Sequence, residues 1–584
     1  MWQRSIELGL LCLACMGTPR SSQADEPLHS QIDKLIAAKA NGAAMSGAAS
    51  DAEFLRRIYL DLAGRIPSLA EARAFLADQA PDKRAKLIDQ LPAGPEYPRR
   101  MQELAHVLLM ERRGDKPEWL AFLKASFEAN KPLDQLVREI LNPDPKNEAT
   151  RGSAFFLSKR LEKYGENPVD YPGITRDVGR LFLGIDLQCA QCHDHLFVKD
   201  YKQADFQGLF AFFQNTFLRP DVKFPAVGEK VMTQKVEFQS VFKKEKKQIG
   251  PRVPGKEEME VQVFPKGEEY AEPPDAKTKS PGLPKFDPLA RLAEQLPTAD
   301  NPAFTRNMVN RIWFIMMGRG LVHPLDLHHA ENPPSHPELL DLLARALAAP
   351  HPQPLSPAAG ARGDLASSLA RATGERGRSD TQALAPAAGE RGRGEGAFDV
   401  KRLLRELALS ETYQRSSRLP DGVDDSPAEL SLVAHENYMS AEQLLWSVLQ
   451  ATGSDSASDK PLLPAGTTLD KLRDKFIKAF ANPPAEPEGD FTPSLRSSLF
   501  LLNGATVLDC LTAQPGNLVD RLSKLSDDAE IADELYLSVL TRKPTPDEQA
   551  ELADYLAKGG DDRSKSLANF AWALLASTEF CVNH

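Results

Sequence analysis

Cysteine is scarce in this chain, with six in 584 residues. So thin a supply excludes a disulfide-scaffolded fold, which needs cysteine at many times this density. Long apolar runs are missing as well. No stretch past the N-terminus reaches the roughly 18 uninterrupted apolar residues that cross a bilayer as a helix, so no transmembrane helix is expected. Positive charge is in deficit: 71 Lys and Arg stand against 82 Asp and Glu, a net charge of −11. A general nucleic-acid binder needs a basic surface, so nucleic acid is not an expected partner. Also absent are a phosphate-binding P-loop, a G-x-S-x-G nucleophile elbow, an H-E-x-x-H zinc helix and a dinucleotide fingerprint. No catalytic residue is identified, and whether the chain is an enzyme stays open.

What is present begins at the N-terminus. Arg4 supplies a short positive region, Leu8 to Gly17 an apolar run too short to span a membrane, and Ser22-Gln23-Ala24 small residues suited to cleavage. This pattern predicts a signal peptide over residues 1–24 and an exported protein, periplasmic or secreted. Cleavage would remove Cys12 and Cys15 and leave Cys189, Cys192, Cys510 and Cys581.

Past the leader, a chain this long is expected to divide into domains rather than close on one core. Residues 25–50 are polar and alanine-rich and read as a leader. A helical domain is expected over 51–216: Phe54, Leu55, Ile58 and Leu62 share a face, Gly64 ends the run, and Ser68 to Glu71 form a capping box. Residues 217–285 change character. "KVEFQSVF" and "MEVQVF" alternate apolar and polar, which predicts two strands joined by a basic connection through Lys243, Lys244, Lys246 and Lys247, followed by a linker. A second helical domain is expected over 286–584, with Phe304, Met308, Ile312 and Trp313 on one helix stopped at Gly318–Gly320. His336 stands beside a helix start with Ser335 or Asn332 as its cap. Within this domain, residues 351–397 repeat Gly, Ala and Arg and are expected to form a disordered insertion. The expected fold class is therefore mainly α: a multi-helix two-domain protein with a small β-containing insertion between the domains.

The stretch "LGIDLQCAQCHDHLFVKD" concentrates the chemistry. It lies between two amphipathic segments, one carrying Val178, Leu181, Phe182 and Ile185, the other Phe206, Leu209, Phe210 and Phe213. In a Cys-x-x-Cys-His segment both thiols can form thioethers with haem vinyl groups while the adjacent histidine binds iron. That reading makes Cys189, Cys192 and His193 the holders of one haem c, with His193 on the iron. A second reading gathers Cys189, Cys192 and His195, or His193, on a zinc or iron ion completed by a remote ligand. The third is a disulfide, which lacks the βαβ context of a thioredoxin motif. For a haem, candidate sixth ligands are Met308, Met316, Met317, His323, His328, His329 and His336. Asp326, His328, His329 and Glu331 form a weaker metal-binding candidate. Cys510 and Cys581 lie in apolar surroundings as packed thiols or a disulfide. The function readings are electron transfer with a redox partner protein, or an extracytoplasmic binding or scaffold protein whose Cys/His cluster holds a structural metal or a disulfide.

Longer stretches carry a resemblance. "FLRRIYLDLAGRIPSLAEARAFL", "FLGIDLQCAQCHDHLF" and "DYKQADFQGLFAFF" resemble the planctomycete cytochrome-c-like PSCyt domain of the second type. "NPAFTRNMVNRIWFIMMGRGLVHPLDLHHAENPPSHPELLDLLA", "FDVKRLLRELALSETYQRSS", "SLFLLNGATV" and "ANFAWALLASTEFCVNH" resemble its companion, the planctomycete PSD domain of unknown function. The resemblance implies a secreted or periplasmic protein with a haem c site at Cys189, Cys192 and His193, and supplies no reaction. The chain departs from the family's His-Pro-Phe-Asp after the motif, reading Leu196-Phe197-Val198-Lys199 behind His195.

Overall fold

A computed structural model describes residues 26–350, 397–453, 462–487, 494–559 and 562–584. The expected signal peptide over 1–24 and nearly all of the 351–397 repeat lie outside them. The fold is mainly α, with a small β-containing region between helical stretches. No helix among the described residues is long and apolar enough to cross a membrane.

The helices begin with α1 (Leu28–Ala40), inside the 25–50 stretch, which buries Ile32 and Ile36 four residues apart. Next come α2 (Asp51–Leu62) and α3 (Leu69–Ala77). Ser68 accepts from the Glu71 amide while the Glu71 carboxylate accepts from the Ser68 amide, completing the capping box. There follow α4 (Lys83–Gln90), α5 (Glu96–Met110), α6 (Pro117–Glu128), α7 (Leu133–Leu141), α8 (Phe155–Arg160), α9 (Tyr171–Val178) and α10 (Gln203–Phe210). Beyond the β-containing region stand α11 (Pro288–Gln295), α12 (Pro302–Met317) and α13 (Pro337–Ala348). Helix α12 ends as expected at Gly318, whose φ of +77° suits glycine. At the start of α13 neither expected cap is used. Ser335 bonds the His336 ring at 3.0 Å and Asn332 donates to Leu327 O at 2.9 Å, while Pro337 occupies the first turn, where an N–H would have no partner.

The strands form antiparallel pairs: β1 (Thr216–Leu218) with β2 (Val227–Glu229), β3 (Val236–Gln239) with β4 (Lys246–Ile249), β5 (Tyr270–Glu272) with β6 (Leu283–Pro284), and β7 (Asn437–Tyr438) with β8 (Val582–Asn583). "KVEFQSVF" supplies β3, but its partner is "KKQI" and not "MEVQVF". Two of the four lysines thus lie in the second strand rather than in a connection. Closing the nearer hairpin costs less chain entropy, and Ile249 joins Val236 and Met232 in a small apolar cluster, whereas Val263 stays exposed.

Two large apolar clusters organise the molecule. One unites residues of α1 to α13 and Val400–Leu409; the other gathers residues from Met439 to Cys581 together with Leu60 and Ile66. These clusters do not divide at the β-containing region. Helix α2 is buried along Phe54–Leu62 and serves both. Its Arg56 donates to Phe580 O at 2.6 Å and its Arg57 to Tyr413 O at 2.6 Å, tying an early helix to the last residues. Cys510 and Cys581 are buried free thiols, so the packed-thiol alternative holds and the disulfide does not form.

Candidate functional site

The Cys-x-x-Cys-His segment sits where α9 ends and α10 begins. Helix α9 widens into a π-helical turn, Gly179–Leu183, a form that recurs at functional sites. Gly184 closes it at φ +70°; a Cβ there would lie 2.6 Å from His328 Cδ2 and 2.8 Å from Asn307 Oδ1. Only glycine admits this approach, and the His328 amide uses it to donate to Gly184 O at 2.9 Å. Charge reinforces the joint. Arg180 pairs with Glu111 at 2.5 Å and Asp326 at 3.1 Å, and Arg160 pairs with Asp177 at 2.8 Å. The segment before the cysteines is therefore clamped to α5 and to the loop after α12.

The motif itself is a single tight turn. Residues Cys189–Gln191 form a 3₁₀ turn, and the amides of Cys192 and His193 both point to Cys189 O. Ala190 is fully buried in the main core and faces inward, while Cys189 and Cys192 are exposed. Gln191 is fixed by Arg176 Nη1 at 2.6 Å, and its carbonyl accepts from Gln207 Nε2 at 3.1 Å. Asp194 Oδ1 receives the Gln203 amide at 2.9 Å at the start of α10. Helices on both sides thus hold a turn that presents two free thiols.

The two histidines have opposite proton placements. His193 Nδ1 lies 2.7 Å from Asp194 O. A carbonyl only accepts, so Nδ1 carries the proton and the Nε2 lone pair is available to a metal. His195 Nδ1 instead accepts the amides of Val198 at 2.8 Å and Phe197 at 3.2 Å, which places its proton on Nε2. His195 is a loop-fastening group. Cys189, Cys192 and His195 are not assembled as a metal site: among the described residues no three His, Cys, Asp or Glu side chains gather where they could hold an ion. The same holds for Asp326, His328, His329 and Glu331; Asp326 is taken by Arg180 and Arg311.

Exposed apolar side chains stand beside the turn. Phe242 packs its ring 4.8 Å from the His193 ring, and the Val241 amide donates to Cys192 O at 3.1 Å. Both side chains are 66% exposed, and Phe197 is 81% exposed. This surround is an open face rather than an enclosed slot. Of the candidate sixth ligands, Met308, Met316 and Met317 are core residues. His328 and His329 lie on the loop that meets the motif's own loop: Tyr201 donates to His328 O at 3.2 Å and packs edge-on to His329 at 5.4 Å. Burial pushes the His328 pKa down to about 4, so that ring is neutral. The hairpin residues Val241 and Phe242 were missed by sequence reasoning, since nothing local marks a strand end as a neighbour of Cys192.

The residues fit a covalently attached haem in three respects: accessible thiols spaced on one turn, an adjacent imidazole with its Nε2 lone pair free, and an exposed apolar surround.

Comparison with known protein families gives two matches. Residues 31–217 match PSCyt2, a protein of unknown function (DUF1549), and residues 290–351 and 394–556 match PSD1, a protein of unknown function (DUF1553). No curated protein and no solved structure matches the chain.

Proposed function

For this chain, which belongs to the proteins carrying a PSCyt2 domain followed by a PSD1 domain, we propose that the Cys189–His193 turn holds one haem c and that the protein transfers electrons outside the cytoplasm. The observation that carries the reading is the proton placement: His193 keeps an Nε2 lone pair free beside the two exposed thiols, and His195 does not. Cys189 and Cys192 would form the thioethers and His193 the iron bond. When bound, the haem supplies a one-electron couple. The chain's own part is to fix the imidazole through Asp194 O and Phe242, and to offer Val241 and Phe242 as apolar cover. Covering each such side chain contributes about 1.5–3 kcal/mol. A redox partner protein takes or gives the electron. Haem c is attached after export, in keeping with a cleaved N-terminal segment and a periplasmic or secreted protein.

The test is to produce the full chain with its N-terminal segment alongside c-haem maturation machinery, denature it, extract with acidic acetone and record a pyridine haemochrome spectrum. Haem that stays with the wild-type protein and is missing from a Cys189→Ala, Cys192→Ala double variant supports the reading. A chain without haem, holding stoichiometric zinc, overturns it.

A further inference from the structure

Where the two large apolar clusters meet lies a cavity of about 350 Å³, a size that suits a small organic ligand. It shares no residue with the Cys189–His193 turn. Part of the lining is apolar and includes Leu104, Leu108, Phe314 and Met316. The rest is polar, and most of its charge is committed. Arg57 binds Glu53 at 2.7 Å and the carbonyls of Tyr413, Arg415 and His584. The Asp61 carboxylate accepts from the Tyr413 hydroxyl at 2.7 Å and from Asn583 Nδ2 at 2.8 Å.

Arg100 is the exception. It is 5% exposed and lines the cavity, yet among the described residues only its Nε is bonded, 3.3 Å from Asp61 O. The acids whose charge it feels are Asp61, Glu103 and Glu442. Asp61 is held as above. Glu103 is engaged by Arg99 at 3.2 Å and Trp446 Nε1 at 2.9 Å, and Glu442 by Arg112 at 2.5 and 3.1 Å. Gly64 makes the placement possible: at φ +69°, a Cβ there would fall 2.8 Å from Arg100 Cδ. The sequence therefore sets a largely buried guanidinium fork on the cavity lining with its terminal donors available to an oxyanion.

We propose that this cavity binds a small monocarboxylate with an apolar body, its carboxylate on the terminal nitrogens of Arg100 and its body against Leu104, Leu108, Phe314 and Met316. A carboxylate matches the fork with two parallel hydrogen bonds. A single anionic charge suits a site with one uncommitted guanidinium beside Asp61; a phosphate dianion would leave charge buried without a partner.

The experiment is calorimetric titration of the full chain with benzoate, with benzamide and inorganic phosphate as comparison probes. Saturable benzoate binding is expected, weakened about tenfold or more by Arg100→Gln and by the loss of charge in benzamide. Phosphate is expected to bind more weakly than benzoate. Leu104→Trp, which fills the apolar end and leaves Arg100 intact, is expected to abolish binding, and it decides the matter if Arg100→Gln does not fold. No benzoate binding at about millimolar concentration overturns the proposal, as does unchanged affinity in either variant or equal affinity for benzamide or phosphate.

Discussion

Replacing Asp61 by Asn isolates one carboxylate at the junction of the two clusters. Burial pushes the Asp61 pKa from 3.8 up to about 6; hydrogen bonds from Tyr413 and Asn583 and the charges of Arg100 and Arg57 offset only part of that rise. A rise of this size corresponds to about 3 kcal/mol. Because the folded pKa lies above the unfolded one, the native state holds the proton more tightly, and stability falls as pH rises from about 4 to about 6. Above that window the folded chain carries the full cost of a buried carboxylate. Asn has no proton to lose, its Oδ1 still accepts from Tyr413, and a turn of the Asn583 amide restores their contact. At about pH 4 the two proteins therefore differ only in hydrogen bonding. By about pH 7 the variant gains about 3 kcal/mol relative to wild type. Over roughly 500 described residues, an unfolding entropy of about 2 cal/mol/K per residue makes this about 3 °C in Tm. Thermal unfolding of both proteins across that pH range, followed by far-UV circular dichroism, reads it directly. A Tm difference that stays constant with pH would refute the reasoning.

Other outcomes follow from the same geometry. Gly184→Ala forces a Cβ against His328 and Asn307 at positive φ; it is expected to cost about 1–3 kcal/mol and to raise hydrogen exchange across residues 195–201 and 326–332. In the haem-free protein, alkylation mapped by peptide mass is expected to label Cys189 and Cys192 quickly and to spare Cys510 and Cys581 until unfolding, since burial pushes the latter pair up to about 12 and about 11. His195→Ala removes the acceptor of the Phe197 and Val198 amides. It is expected to destabilise the loop by about 1–2 kcal/mol while leaving covalent haem in place. His193→Ala instead is expected to change the iron's absorption spectrum.

The helical framework was legible because its signals are local. The spacing of Phe54, Ile58 and Leu62, the Ser68–Glu71 capping box and the stop at Gly318 each depend on neighbours within a few turns. The cysteine turn was legible for the same reason. What escaped depends on residues brought from far away. "KKQI" displaced "MEVQVF" as the partner of β3 because hairpin closure outweighed alternation. The meeting of Asp61, Arg100, Tyr413 and Asn583 spans most of the chain and leaves no periodic trace. The roles of His193 and His195 are two residues apart in sequence and opposite in chemistry, since each is fixed by the backbone group its Nδ1 meets.

The measurement that bears most directly on the haem proposal is the intact mass of the denatured chain, exported in cells that mature c-type cytochromes. Wild type is expected to carry the added mass of one haem and the Cys189→Ala, Cys192→Ala double variant to carry none. A wild-type chain at its haem-free mass, from cells that load a control cytochrome, would contradict it.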